Sequence, residues 1–424
     1  MQNCQISADN YVCFRCGTAI GSLTMLFSSE YYPWLVFPAL LTLGLSGSLI
    51  LLTDLQVANL FGGRRYTIMS IFVGAYFSGG IVIFFMKLTK ESGVSLQTSF
   101  MFTTIGIVPV LISTIAMLPK SRIPWPLPAE YGKGRGANSA DKSKALQRRM
   151  SVGPKKKINM TEFWRAIKSK LFILCVLWFS LLSLKIRMLD ITVESMLQQT
   201  YTHTEEIEYL SWYGIVLLLS LPMSPLIGIV LDWNRRNVTT QPHVTQMKNI
   251  FIAMCIQILM AVISTITSFV PNIYTLVITY IFITIEKVSL HAVLFAFLMH
   301  ISFPSEHFGK LAGIVMSISG IILVLQFPLK LLVQHSMTED KAYMYIVPLG
   351  LVFVSCLHPV CVWYQCRIGQ INDGAGTSNE NDRTLTVVLI ESSSTKTCGG
   401  STNKRDGKNS STFTETTKLQ ITDL

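Results

Sequence analysis

Charged side chains are scarce in this 424-residue chain, at 14% of the residues, against about 25% in a soluble domain. Acidic residues are the scarcer sign, 24 Asp and Glu against 35 Lys and Arg. An ordinary soluble enzyme does not fit that composition. A disordered chain is excluded too, because half of the residues are hydrophobic and mean hydropathy is +0.45, and disorder needs low hydrophobicity. No Walker loop, Gly-x-Ser-x-Gly elbow or His-Glu-x-x-His motif occurs, so transport powered directly by ATP has no support and no enzyme is expected. Cys13-Phe14-Arg15-Cys16 has zinc-like spacing, but no second pair completes a site; neither metal nor cofactor is expected. Met1 to Tyr11 is polar and lacks a basic flank, so no cleavable signal peptide is expected.

Long apolar runs are what the chain does have. A membrane span needs about 20 mostly apolar residues. Ten stretches qualify as candidates: 14–30, 34–54, 67–87, 99–118, 171–193, 210–231, 250–270, 273–301, 311–333 and 343–364. The first is short and polar after Arg15. The runs are continuous rather than alternating, which disfavours a membrane β-barrel. The fold class expected is an all-α polytopic membrane protein.

Two segments differ in kind. Lys120 to Lys170 is basic and Pro-rich at its start, and Arg367 to Leu424 is rich in Ser, Thr, Asn and Gly. Both read as disordered or loosely ordered. The expected organisation is a helix bundle over 1–118, a basic linker over 119–170, a six-helix bundle over 171–366 and a tail over 367–424. The whole net charge of +11 falls within 120–170. Basic residues near span ends mark the cytoplasmic side, and Arg64, Arg65, Arg235, Arg236, Lys248 and Lys310 alternate consistently with it. Both termini are then cytoplasmic and the plasma membrane is the expected location. A nucleic-acid polymer is a poor partner, since no aromatic interleaving or recognition helix accompanies the basic run. The bilayer itself, with anionic lipid at 120–170, suits the charge better.

Internal similarity is modest. Phe61-Gly62 and Met69-Ser70 match Phe308-Gly309 and Met316-Ser317 at one offset, each a turn followed by an apolar helix rich in small residues, which allow close helix approach. Gly228-Ile229-Val230-Leu231-Asp232-Trp233-Asn234-Arg235-Arg236 resembles the Asp–Arg loop of the major facilitator superfamily. There, Gly228 permits close packing, Asp232 is expected to cap the helix that follows, and the Arg235–Arg236 pair to bond helix ends across the bundle.

Longer stretches are more specific. Ser302-Phe303-Pro304-Ser305-Glu306-His307-Phe308-Gly309-Lys310-Leu311, then Leu325-Gln326-Phe327-Pro328, resemble solute carrier family 43. Asn59-Leu60-Phe61-Gly62 with Arg65 resembles the first-half counterpart, and Leu118 to Pro128 is similar to the equilibrative nucleobase branch. The resemblance runs from about residue 34 to 366. It implies a small-molecule substrate, purine nucleobases first, carried by facilitated diffusion and alternating access. Uniport of large neutral amino acids is the alternative. The family plan has twelve spans in two six-helix halves. Only four precede the linker here, so the major facilitator fold is expected to lack counterparts of the first two helices. That shortfall motivates a third reading, a non-transporting membrane scaffold or regulator.

Ionisable residues inside spans are functional candidates. The resemblance places a cavity along 34–58, 171–197 and 273–301. Arg187, Asp190 and Glu194 share a face of the second stretch, and Lys185 points away from them. Counted from Leu171, Lys185 is about 21 Å deep and Glu194 about 34 Å, so an outer-surface position for Asp190 and Glu194 stays open. Glu286 and Lys287 lie near mid-span, where a bare charge costs about 3 kcal/mol on the insertion scale. Adjacent residues do not face each other, so Glu286 needs a partner on another helix, and Lys185 is one candidate. A structural ion pair there is as open as a substrate role. Lys287 and His291 share a face. The substrate-contact candidates are Lys185, Arg187, Glu286, Lys287, His291 and Gln326. Trp212, Tyr213, Tyr274 and Tyr280 read either as stacking platforms or as interfacial aromatics.

Overall fold

Inside a hydrocarbon layer every backbone N–H and C=O must find an internal partner, which an α-helix supplies within one segment. The computed structural model describes residues 8–28, 31–117, 123, 160–233, 242–270, 272–301, 308–331 and 343–374, and among them all regular structure is helical. Met1–Ile371 forms one unit and Asn372–Leu424 a second. The apolar helices belong to the first.

The helices are α1 (Ala8–Leu26), α2 (Val36–Asp54), α3 (Arg65–Ser78), α4 (Ile81–Glu91), α5 (Leu96–Met117), α6 (Met160–Ile167), α7 (Lys170–Thr200), α8 (His203–Val216), α9 (Ser220–Leu231), α10 (Pro242–Thr267), α11 (Ile273–Ile301), α12 (Phe308–Leu323), α13 (Tyr343–Ser355) and α14 (Leu357–Gly374). Eight stretches among the described residues are long and apolar enough to cross a membrane. One of them, Pro33–Glu91, is 59 residues long, about 90 Å of helix against a hydrocarbon core of about 30 Å. It therefore holds two crossings, α2 and then α3 with α4. Gly62 divides them, at φ +48, a left-handed backbone that glycine adopts without Cβ strain. The first expected span is shifted: α1 ends at Leu26, and its apolar part, Val12–Leu26, is short of a standard span.

The expectation of a loosely ordered 120–170 is corrected at its end. α6 is helical, and its Phe163 is buried in the core cluster below α7. A single aromatic anchor orders this turn in an otherwise polar run. Ser169 then caps α7, its Oγ accepting the Phe172 N–H at 3.2 Å. α7 and α11 are the most enclosed spans, with Trp178, Leu182, Phe295 and Phe297 fully buried.

The tightest contact joins α3 to α9. A Cβ on Gly74 would stand 2.6 Å from the Ser220 carbonyl oxygen, and one on Gly228 2.5 Å from Thr67 Cα. Glycine at both positions lets the backbones meet, and Ser220 Oγ donates to the Gly74 carbonyl at 2.9 Å.

Candidate functional site: a charged layer between α7 and α11

Four ionisable side chains connect α7 to α11 near mid-membrane. Lys185 Nζ lies 2.8 Å from Glu286 Oε2, and both side chains are fully buried. Ser264 on α10 closes the triangle, 2.6 Å from Lys185 Nζ and donating to Glu286 Oε2 at 2.7 Å. Lys185 is thus the partner that Glu286 requires. The pairing repays part of the desolvation that isolated charges suffer there.

One residue further along α11, Lys287 turns to the other side. Its Nζ is 3.0 Å from Asp190 Oδ2 and donates to the Tyr213 hydroxyl. Asp190 is held from two helices: Lys287 engages it from α11, and Arg187 pairs with it at 3.7 Å from its own helix. Tyr213 on α8 donates to Asp190 Oδ1 at 3.4 Å and stacks on Tyr280 with ring centroids 4.6 Å apart. The Lys287 ammonium stands 5.1 Å from the Tyr213 ring centre, within cation–π range. This second layer is only partly enclosed. Asp190 retains 24% side-chain exposure and Arg187 55%, against none for the first pair.

His291 faces inward below Lys287. Its Nδ1 lies 2.8 Å from the Lys287 carbonyl oxygen, and its ring meets Phe77 of α3 and Phe179 of α7 edge-on, at 4.8 and 5.1 Å. Gln326 is half-buried beyond α12, and no described hydrogen bond joins it to the charged layer. Among the four aromatics, Tyr274 is 77% exposed and Trp212 packs on Tyr209; only Tyr213 and Tyr280 reach the layer. Ser264 is a member of the site that the sequence does not single out, although the polar run Ser264, Thr265, Thr267 and Ser268 is a visible signal. Among the described residues no group of three His, Cys, Asp or Glu side chains is placed to hold a metal ion.

Asp232 reaches back across the bundle. It caps α3, an earlier helix in the chain; residues 234–241, which lead into the helix that follows it, lie outside the described residues. Its Oδ2 accepts the Thr67 N–H at 2.7 Å and the Thr67 hydroxyl at 2.8 Å, and its Oδ1 accepts the Tyr66 N–H at 3.3 Å. These amides open α3, where a carboxylate is favoured by the helix dipole. Asn249 fixes the turn, donating to the Leu231 and Trp233 carbonyls. Arg65, at the start of α3, is enclosed by the bundle. It is not a solvated loop base but 4% exposed, with Nη2 3.1 Å from Met299 Sδ on α11. Asn59 is buried and donates to the Ile123 carbonyl at 3.2 Å. Phe61 is exposed, Phe308 is buried at the start of α12, and a Cβ on Gly309 would meet open space. Arg235, Arg236, Pro304 and Glu306 lie outside the described residues, as do 124–159 of the linker and the tail beyond 374.

No protein-family model matches the chain. It is 28% identical to the bovine equilibrative nucleobase transporter 1, over 82% of this chain and 76% of that one. It is 24% identical to the human large neutral amino acids transporter small subunit 3, over 81% and 73%. Among solved structures, the human organic anion transporter MFSD10 is similar with a TM-score of 0.47 and 13% identity, over 81% of this chain and 76% of that one. The apolar helices and the first two relatives agree with the resemblance read from the turn at 302–311. The chain is a multi-pass helical membrane protein, similar over most of its length to the bovine equilibrative nucleobase transporter 1.

Proposed function

We propose that the chain carries small planar solutes, purine nucleobases first, across a membrane by facilitated diffusion. The observation that carries this reading is the partly exposed layer of Lys287, Asp190, Tyr213 and Tyr280. A nucleobase is uncharged and planar, with donors and acceptors alternating along its edge. Lys287 and Arg187 offer donors, Asp190 an acceptor, and the tyrosines π faces. Lys287 is already neutralised by Asp190 at 3.0 Å. A free carboxylate would have to compete with that pairing, which makes the layer a better receptor for a neutral solute than for an amino acid. The higher identity to the nucleobase transporter, 28% against 24%, points the same way.

The mechanism proposed is alternating access. The helices of 1–118 rock against those of 171–366 about the α3–α9 contact, and 119–170 tethers the two. No covalent chemistry is involved. The basic 120–170 segment supports a cytoplasmic linker, hence cytoplasmic termini, and the plasma membrane is the location proposed.

The test is uptake of radiolabelled adenine and leucine in cells expressing this chain. Adenine uptake that guanine competes supports the proposal. Leucine uptake alone overturns the substrate, and no uptake with normal surface delivery overturns transport itself.

A further inference from the structure

We propose that α6 is a docking site for anionic lipid headgroups on the bilayer that the chain spans. This goes beyond the transport reading and does not depend on it.

α6 is eight residues long and ends three residues before α7 begins. It therefore lies where α7 enters the membrane. Its Phe163 and Trp164 rings meet edge-on with centroids 5.9 Å apart, the first buried and the second exposed. Phe163 is buried in the core cluster, and the Lys310 ammonium from α12 stands 5.7 Å from its ring centre. That side is occupied. Beyond it Trp164 is 54% exposed, and Arg165 and Lys168 are exposed too. Trp164 and Lys168 are four residues apart and share a face.

An exposed indole flanked by two cations has little reason to stand in bulk water. At the membrane interface the indole sits at headgroup depth, where Trp is enriched. The cations are then level with the phosphates, and an amphipathic helix lies flat in that plane. Charge complementarity selects the occupant. Arg165, Lys168 and Lys170 are all exposed at this end of α7. A zwitterionic surface offers no matching negative charge; phosphatidylserine or a phosphoinositide does. Each cation near such a surface contributes about fivefold in binding, equivalent to about 1 kcal/mol.

The consequence is a contact that reports lipid composition directly to the transport helices. α6 touches α7 through Phe163, and Lys310 lies on the first turn of α12. Headgroups that hold α6 flat hold the inner end of both spans.

The full chain in nanodiscs tests this. Hydrogen exchange of 160–170 is compared in phosphatidylcholine alone and in discs doped with phosphatidylserine. Slower exchange in the anionic discs is expected, and Arg165→Gln with Lys168→Gln should remove that difference while leaving exchange in phosphatidylcholine unchanged. Brominated phosphatidylserine should quench more fluorescence in the unmodified chain than in Trp164→Phe. Equal exchange in both discs overturns the proposal, and so does an anionic effect that survives in the double variant. Quenching identical in the two chains also overturns it, by placing Trp164 away from the lipid.

Discussion

Asp232 accepts two hydrogen bonds from Thr67, 165 residues before it in the chain. The carboxylate thereby ends one helix and begins another. Removing it should loosen α9 from α3. Asp232→Ala is expected to cost about 1–2 kcal/mol, the range for loss of a helix cap, and to lower the melting temperature in detergent. Asp232→Asn keeps an acceptor and should cost less. Equal melting of all three proteins would show that the cap contributes nothing.

The Lys185–Glu286 pair has a sharper signature. Glu286→Gln leaves a fully buried ammonium without its counter-ion, which costs about 3–5 kcal/mol when a buried pair is broken. The variant should be retained inside the cell and elute as aggregate on size exclusion. Lys185→Met together with Glu286→Leu removes both charges, and recovery of a monodisperse peak is expected. A single variant as well behaved as the parent would remove the energetic argument.

Lys287 should separate function from folding. Lys287→Met deletes the charge-assisted hydrogen bonds to Asp190 and the Tyr213 hydroxyl in a half-open layer. If the bond to Asp190 holds the transition between bound and moving states, solute uptake falls about tenfold or more, for a loss of about 1.5–3 kcal/mol. Surface delivery should change little. Tyr280→Leu should weaken uptake through KM, because it removes only a stacking face. Uptake unaffected by either change would place the substrate elsewhere.

Gly74 and Gly228 make a steric prediction. A methyl group at either would meet α9 or α3 atoms at under 3 Å, backbone among them. Gly74→Ala and Gly228→Ala should each destabilise by about 1–3 kcal/mol. Gly313 on α12 has open space around it, so Gly313→Ala should be neutral or gain up to about 1 kcal/mol of helix propensity. Thermal melts of the three variants check the contrast.

Most of the helical plan is legible in the sequence because continuous hydropathy reports a span directly. Glu286 and Lys185 are legible for a related reason: a charge at mid-span demands a partner, and few candidates exist. What escapes is long-range. A capping carboxylate advertises an acceptor, but nothing in its own stretch says that Asp232 will meet the amides of α3, 165 residues earlier. Arg65 looks like any loop base, because its burial depends on α11 arriving from 234 residues away. Tyr213 is indistinguishable from an interfacial aromatic until Asp190 and Lys287 converge on it. α6 is hidden by its polar neighbourhood, where one buried phenyl ring decides order.

The two ion pairs between α7 and α11 carry one positive and one negative charge each. Taken together they sum to zero. Moving one elementary charge across the membrane field is worth about 2.3 kcal/mol per 100 mV, so an unbalanced layer would tie any motion of these helices to voltage. These two pairs impose no such tie. If α7 and α11 travel together with both pairs intact, those four side chains contribute no gating charge, and any voltage sensitivity of the layer falls to the half-exposed Arg187.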